Sequence, residues 1–191
     1  HGYHHGSKES FFKYTLWEKS TRVPFIIVDP SREFDGTRGK ECDAPVSLID
    51  IYPTFIDLCN LPRRKGLDGH SIRPFLRDVD ATWDGPSVAL SAIKGDVARP
   101  HDPSRHSFSV RSKQWRYTIT PDGGEELYDH RVDPFEWTNL AKDSRYQEIK
   151  VALHRELCEL SGRRRDHGRG PSEGDCGKGR ASRATEPLWI P

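Results

Sequence analysis

Apolar positions along the chain fall into short groups separated by turn-forming residues. Val23 to Val28 is a continuous apolar run interrupted only by Pro24 and closed by Asp29-Pro30. This pattern predicts a strand buried on both faces. Residues 31–45 are rich in Gly, Asp and Arg and read as a surface loop. Ile51, Phe55, Leu58 and Cys59 then recur at helical spacing. Asp50 is placed to cap that helix, and Pro53 falls in its first turn, where a missing N–H is no loss. Asn60 suits the left-handed position past the end, with Pro62 just beyond. After a turn at Asp68-Gly69, the residues Ile72, Phe75 and Leu76 predict one brief helical segment.

The second half of the pattern changes period. Val88 to Ile93 reads as a strand, and residues 108–111 and 114–119 alternate in the period-two manner of half-buried strands. Gly123-Gly124 makes a turn before a short strand around Glu126-Leu127-Tyr128. Trp115 and Trp137 are expected to pack this small sheet. From Asp143 onward, Tyr146, Ile149, Leu153, Leu157 and Leu160 form the stripe of an amphipathic helix that Ser161-Gly162 ends. Arg163-Arg164-Arg165 opens a stretch of Gly, Ser, Asp and Arg with no apolar period before Leu188-Trp189-Ile190. Such a stretch cannot offset its ordering entropy, so a disordered tail is expected. The order is α/β first and α+β afterwards. It predicts a division into residues 1–85, 86–161 and a tail of 162–191.

Composition narrows the function classes. A chain of 191 residues with 34% hydrophobic content supports one domain core and a tail. The formal net charge of +1 selects neither nucleic acid nor an anionic membrane surface. No apolar stretch approaches the ~20 residues of a membrane span. Cys42, Cys59, Cys158 and Cys176 contain no Cys-x-x-Cys pair, which argues against structural zinc or a dense disulfide framework. The chain opens on His1 and contains no Met, so it reads as a processed chain or a fragment.

Candidate chemistry concentrates at the start. A loop opening on His1-Gly2 and reaching Lys13 shortly before the run at Val23 looks like part of an anion-binding site. The imidazoles of His1, His4 and His5 could also chelate a transition metal. His4 and His5 are assigned instead to the loop surface, and Lys8 to solvent. Glu18 and Arg22 are spaced to pair on a helical turn. His101 and His106 flank a loop and could line the mouth of a pocket.

His1-Gly2, Gly6 and Lys13 are followed by Thr15-Leu16-Trp17-Glu18, Ser20 to Ile27, Pro45 to Phe55 and Leu67 to Ile72. With Glu126 to Pro134 and Glu136 to Leu140, this ordered series resembles the second half of a type I sulfatase catalytic domain, of the iduronate-2-sulfatase-like branch. The resemblance implies an α/β fold: the C-terminal part of an alkaline-phosphatase-like sulfatase, with a small antiparallel sheet and a helix. It implies a sulfuric ester hydrolase acting on a sulfated sugar or related sulfate monoester. Lys13 matches the lysine that binds the sulfate group. His1 matches the second of two consecutive ligands of a divalent cation, usually calcium (Ca2+), the first being an aspartate. The nucleophile implied is a formylglycine made from cysteine in a Cys-x-Pro-Ser-Arg motif, a context none of the four cysteines has. The chain is therefore expected to be inactive alone. Export to a periplasmic, secreted or lysosomal compartment is the family habit.

Three other readings compete. A non-catalytic remnant would keep the fold without the activity. A relative in the alkaline phosphatase superfamily would act on phosphate esters. A copper-dependent polysaccharide monooxygenase would use His1 through its amine and ring, and would require an all-β sandwich.

Overall fold

The computed structural model describes residues 2–94 and 103–162. His1, His101 and the predicted tail beyond Gly162 lie outside the described residues, so the metal-ligand expectation at His1 has no geometry here.

The best-built part is an antiparallel sheet in the order β1-β2-β3-β4, formed by Ala89–Lys94, His106–Arg111, Trp115–Ile119 and Glu125–Asp129. Each strand pairs with the next, with Val110 opposite Tyr117 and Tyr117 opposite Leu127. One face carries Phe108, Val110, Trp115, Tyr117, Ile119 and Leu127 into the core, where Leu153 and Leu157 cover them. Those leucines belong to the long helix α4, Gln147–Ser161. A turn over Ser144–Tyr146 leads into it, with the Asp143 carboxylate accepting from the Arg145 N–H, and Gly162 ends it. The predicted strands and stripe are thus present.

The other face of the sheet departs from expectation. Alternation predicted half-buried strands, yet all five residues of β3 are buried, including Arg116 and Thr118 on the polar face. The cover is the N-terminal segment: the Leu16 carbonyl and the side chains of Glu18 and Thr21 all bond Arg116. That segment contains the short helix α1, Glu18–Thr21.

The segment between these parts is built around α2, Ile51–Leu58, and α3, Arg73–Arg77. Asp50 stands at the N-cap of α2 as predicted, but its side chain makes no capping bond there. It is also the last residue of a 3-10 turn, Leu48–Asp50, capped by Ser47, whose N–H bonds the Asp50 carboxylate at 2.8 Å. Buried Asp50 also accepts from the His70 N–H at 2.8 Å, which ties the following loop to the helix start. The inward face is also displaced from the predicted stripe. Thr54 and Ile56 are buried, while Phe55 and Cys59 are exposed. The cause is a polar contact: Thr54 Oγ1 donates to the Asp50 carbonyl at 2.6 Å and accepts from the Ile72 N–H at 3.0 Å. Asn60 adopts the left-handed conformation expected of it, at φ 50°. The brief helix expected around Ile72, Phe75 and Leu76 is α3, with Ile72 at its N-cap, and Ile72 and Phe75 are buried.

The predicted turn at Asp68-Gly69 is instead a close approach of backbones, and the turn lies at Lys65-Gly66. A Cβ on Gly69 would stand 2.2 Å from the Ile49 carbonyl oxygen. Backbone on both sides leaves nothing flexible to yield. Gly69→Ala is expected to lower stability by about 1–3 kcal/mol, as overpacking does. A urea midpoint shift in the intact chain measures it, and an unchanged midpoint would refute the close approach.

Val23 to Val28 is the plainest correction. The run is extended but forms no strand, because none of the described residues pairs with it. Ile26 and Val28 are 82% and 84% exposed. With Leu48 and Ile49 these residues border an open trough of about 1750 Å³. No helix among the described residues is long and apolar enough to cross a membrane.

Candidate functional site

The loop that carries Lys13 is closed by its own backbone. The His4 N–H donates to the Phe12 carbonyl at 3.2 Å, and the Gly6 N–H to the Ser10 carbonyl at 2.9 Å. Between these bonds His5, Lys8 and Glu9 all adopt positive φ, at 48°, 53° and 56°. Left-handed backbone at non-glycine residues stores strain that persists only where the surroundings impose it. Gly2 is required at the loop's base: its φ is 72°, and a Cβ there would lie 2.9 Å from the Ser20 carbonyl oxygen.

Lys13 is half-buried, with Nζ 5.4 Å from the ring centre of Tyr3 and 5.9 Å from that of Tyr14. Among the described residues its ammonium meets no carboxylate and makes no hydrogen bond. Aromatic faces hold a cation in place without neutralising it. The result is an ammonium free to receive an anion.

Lys8 behaves otherwise and corrects the expectation of a solvated side chain. Its Nζ lies 4.3 Å from the Trp17 ring centre and 4.6 Å from that of Tyr128, and donates to the Tyr128 hydroxyl at 3.2 Å. Burial holds its pKa below the ordinary lysine value, with Glu126, Glu136 and Asp133 opposing the shift in part. Trp17 is itself anchored by Nε1 to Glu126 at 2.8 Å. Lys8 is a peg between loop and sheet.

His4 is also corrected: it is buried, while His5 remains on the surface as expected. Trp115 packs in the core as predicted, but Trp137 is 63% exposed. His106 begins β2, half-buried beside the Phe108 ring.

The strongest electrostatic feature was missed by the sequence reading. Arg116 uses its whole guanidinium fork. Nε donates to Glu136 at 2.6 Å, Nη1 to the Leu16 carbonyl at 2.9 Å and Ser109 Oγ at 3.1 Å. Nη2 donates to Glu18 at 2.5 Å and Thr21 Oγ1 at 2.9 Å. Glu18 also accepts from Arg111 at 3.1 Å, and its N–H donates to Glu136 at 2.8 Å. The predicted Glu18–Arg22 pair exists at 3.8 Å but is peripheral to these contacts. Burial alone would raise the Glu18 carboxyl pKa, but Arg116 and Arg111 outweigh it and hold the group low. Glu136 is likewise held low against burial, by the hydrogen bond from His130 and the charge of Arg116.

Glu18, His130 and Glu136 place one ligand-type atom each within 4.8 Å of the others, the arrangement a cation could use. The donor set does not fit one. Both carboxylates already face the Arg116 guanidinium, and an added divalent ion would sit against that charge. A calcium site needs more free oxygen ligands than this cluster offers. It is an ion-pair clamp.

The same fold is found among known proteins. A family model described as N-sulphoglucosamine sulphohydrolase, C-terminal, matches residues 6–163. The chain belongs to this sulfatase family. Arylsulfatase K of Gallus gallus is 32% identical over 139 residues, which cover 69% of this chain and 24% of that protein. An ulvan-active sulfatase of Formosa agariphila is 27% identical over 154 residues, covering 78% of this chain and 29% of the relative. Among solved structures, a 2-O GAG sulfatase is similar at a TM-score of 0.61 and 28% identity, covering 79% of this chain and 32% of that one. The chain spans between 24% and 29% of the length of these first curated relatives. The fold is therefore the C-terminal part of the alkaline-phosphatase-like sulfatase fold, with the small four-stranded sheet as its second element.

Within this sulfatase portion, the sequence singled out Lys13 and the loop but not the clamp beneath them. Arg111, Arg116, Glu126 and Tyr128 occupy alternate strand positions that resemble a solvated face. No local signal marked Arg116 for burial, since Trp115 and Tyr117 point to the opposite face of the strand.

Proposed function

We propose that this chain supplies the sulfate-binding lysine and the small C-terminal subdomain of a sulfuric ester hydrolase. The observation that carries the reading is the unpaired Lys13 ammonium, held between Tyr3 and Tyr14 in a sulfatase-family loop. Cleavage of a sulfate monoester spreads negative charge over the transferring group, and a fixed cation at its oxygens lowers the barrier. Lysine is a compact point charge with three donors, suited to that role. A sulfated saccharide is the substrate class we favour, in keeping with an ulvan-active sulfatase and a 2-O GAG sulfatase among the relatives.

Residues 1–85 would belong to the catalytic layer and 86–161 to the small subdomain, with the Arg116 clamp joining them. His1 would ligate a calcium ion whose remaining ligands come from elsewhere in the fold. No cysteine of this chain stands in a Cys-x-Pro-Ser-Arg context, so the formylglycine nucleophile would also come from elsewhere. The exposed apolar run at Val23 to Val28 and the trough beside it support a further packed layer, since a surface of this kind costs free energy when left in water.

Sulfate release from a sulfated disaccharide is the test. The chain combined with the nucleophile-bearing part of the sulfatase fold is expected to release sulfate, and the 191-residue chain alone none. Arylsulfate hydrolysis by the chain alone, abolished by Lys13→Ala, would refute its inactivity. Turnover of phosphate esters without sulfate release in the assembled protein would refute the sulfatase reading.

A further inference from the structure

His4 is only 1% exposed, although it lies between exposed Tyr3 and His5 in a surface loop. Its Nε2 stands 2.6 Å from Thr15 Oγ1 and 3.0 Å from Ser20 Oγ. Thr15 Oγ1 donates to Ser20 Oγ at 2.9 Å, and Ser20 Oγ donates to the Gly2 carbonyl at 2.8 Å. Each hydroxyl has one proton to give. The Gly2 carbonyl can only accept, so the Ser20 proton goes there and Ser20 must receive from Thr15. Thr15 then has no proton left for the imidazole. The hydrogen between His4 and Thr15 therefore sits on His4 Nε2, an assignment made from the network. Nδ1 is left bare, and among the described residues it is buried without a partner.

We propose that His4, as the neutral Nε2–H tautomer, is a positioning residue that ties together the two ends of the loop presenting Lys13. The relay runs in one direction, from His4 to Thr15 to Ser20 to the Gly2 carbonyl. It joins the residue next to His1 to a residue two beyond Lys13, while the His4 backbone N–H holds the Phe12 carbonyl beside Lys13. Trp17 meets the imidazole edge-on at 5.5 Å and fixes its plane. This pin supplies the constraint that three left-handed residues in the loop require. A second proton would leave a buried Nδ1–H unmet and add a charge that Lys19 and Lys8 oppose. Burial first, and those lysines second, keep the ring's pKa below its ordinary value, although Glu136 pulls the other way.

The inference rests on the sulfate-binding reading of Lys13, and two measurements separate the fates of the two. Nitrogen-15 imidazole spectra of the 191-residue chain near neutral pH are expected to show His4 protonated at Nε2 and bare at Nδ1. An Nδ1–H or doubly protonated ring overturns the relay. In the assembled sulfatase, His4→Ala is expected to lower kcat/KM by about 10- to 100-fold, the cost of a misplaced catalytic group. His4→Gln, which reaches the Nε2 position with a donor, should restore most of that loss. His4→Asn, whose donor stops at the Nδ1 position, should not. On a Lys13→Ala background, His4→Ala should change turnover by less than about twofold, because interacting sites are not additive. Equal rescue by Gln and Asn, or full additivity with Lys13→Ala, overturns the proposal and leaves His4 with general stability. If His4→Ala does not fold, Ser20→Ala cuts the same relay by one atom and must reproduce the loss. If Lys13→Ala leaves turnover intact, the sulfate reading fails, and the tautomer spectrum alone decides whether the pin exists.

Discussion

Arg116→Met is expected to destabilise the chain by about 3–5 kcal/mol, because it removes the cation shared by buried Glu136 and half-buried Glu18 and leaves them only His130 and Arg111 as close partners. Glu136 is 1% exposed and the Glu18 side chain 15%, so water cannot replace the lost guanidinium cheaply. The substitution also strands the Leu16 carbonyl and the hydroxyls of Ser109 and Thr21. Since domain stability is about 5–15 kcal/mol, this single change removes a large share of it. Arg116→Lys retains the charge but not the planar fork, and should recover only part of the loss. Urea unfolding of the chain measures both variants. Limited proteolysis should show residues 2–21 cut first in Arg116→Met, as the clamp adds to Lys8–Tyr128 and Trp17–Glu126 in holding them on the sheet. A loss below about 1 kcal/mol, the scale of a surface pair, would show that the clamp does not bear on the fold.

The clamp also sets an acid limit. The folded-state pKa values of Glu18 and Glu136 both lie below the ordinary glutamate value. Depressed carboxyl groups bind fewer protons in the folded state than in the unfolded state, so stability rises with pH across that interval. Their contribution is complete above the unfolded value of about 4.3 and is lost as pH falls through the lower folded values. Glu136→Gln should therefore flatten the stability profile below about pH 4, where the unmodified chain loses stability with each added proton.

How far the sequence reveals this molecule depends on which interactions are local. The helix from Gln147 and the strands around Tyr117 were legible because their periods record one covered face. The same period-two pattern did not show what covers the other face. Arg116 and Thr118 alternate with Trp115, Tyr117 and Ile119 in a manner that a solvated surface would share, and the partners of Arg116 lie about a hundred positions away at Leu16 and Glu18. Val23 to Val28 reads as a buried strand from its continuous apolar run closed by Asp29-Pro30. Pairing is non-local, and within the described residues that run finds no ladder. At Thr54 a single hydroxyl bonded to both Asp50 and Ile72 rotated a helix face away from its apolar stripe. Lys13 was legible only by its spacing from His1 and by resemblance. Nothing local distinguishes it from Lys8, and the surroundings of the two lysines are what separate them.

That separation makes opposite predictions for the two side chains. In the assembled sulfatase, Lys13→Ala should lower kcat by about 100- to 1000-fold, the cost of losing one preorganised donor at developing negative charge. Stability should change little, since among the described residues the Lys13 ammonium has ring faces beside it at 5.4 and 5.9 Å and no ion pair to lose. A larger effect on kcat than on KM is expected if the ammonium meets charge that grows in the transition state. Lys13→Arg should recover little, because a planar, delocalised fork does not place a point charge and three donors where a compact ammonium does. Lys8→Ala should do the reverse. It removes a cation seated over Trp17 and Tyr128 and so lowers the unfolding midpoint, while turnover at saturating substrate falls little. Sulfate release and thermal unfolding, measured on both variants, read the two effects apart. Lys13→Ala with turnover within a factor of about three of the unmodified protein would remove Lys13 from the reaction, since a lost preorganised donor costs far more.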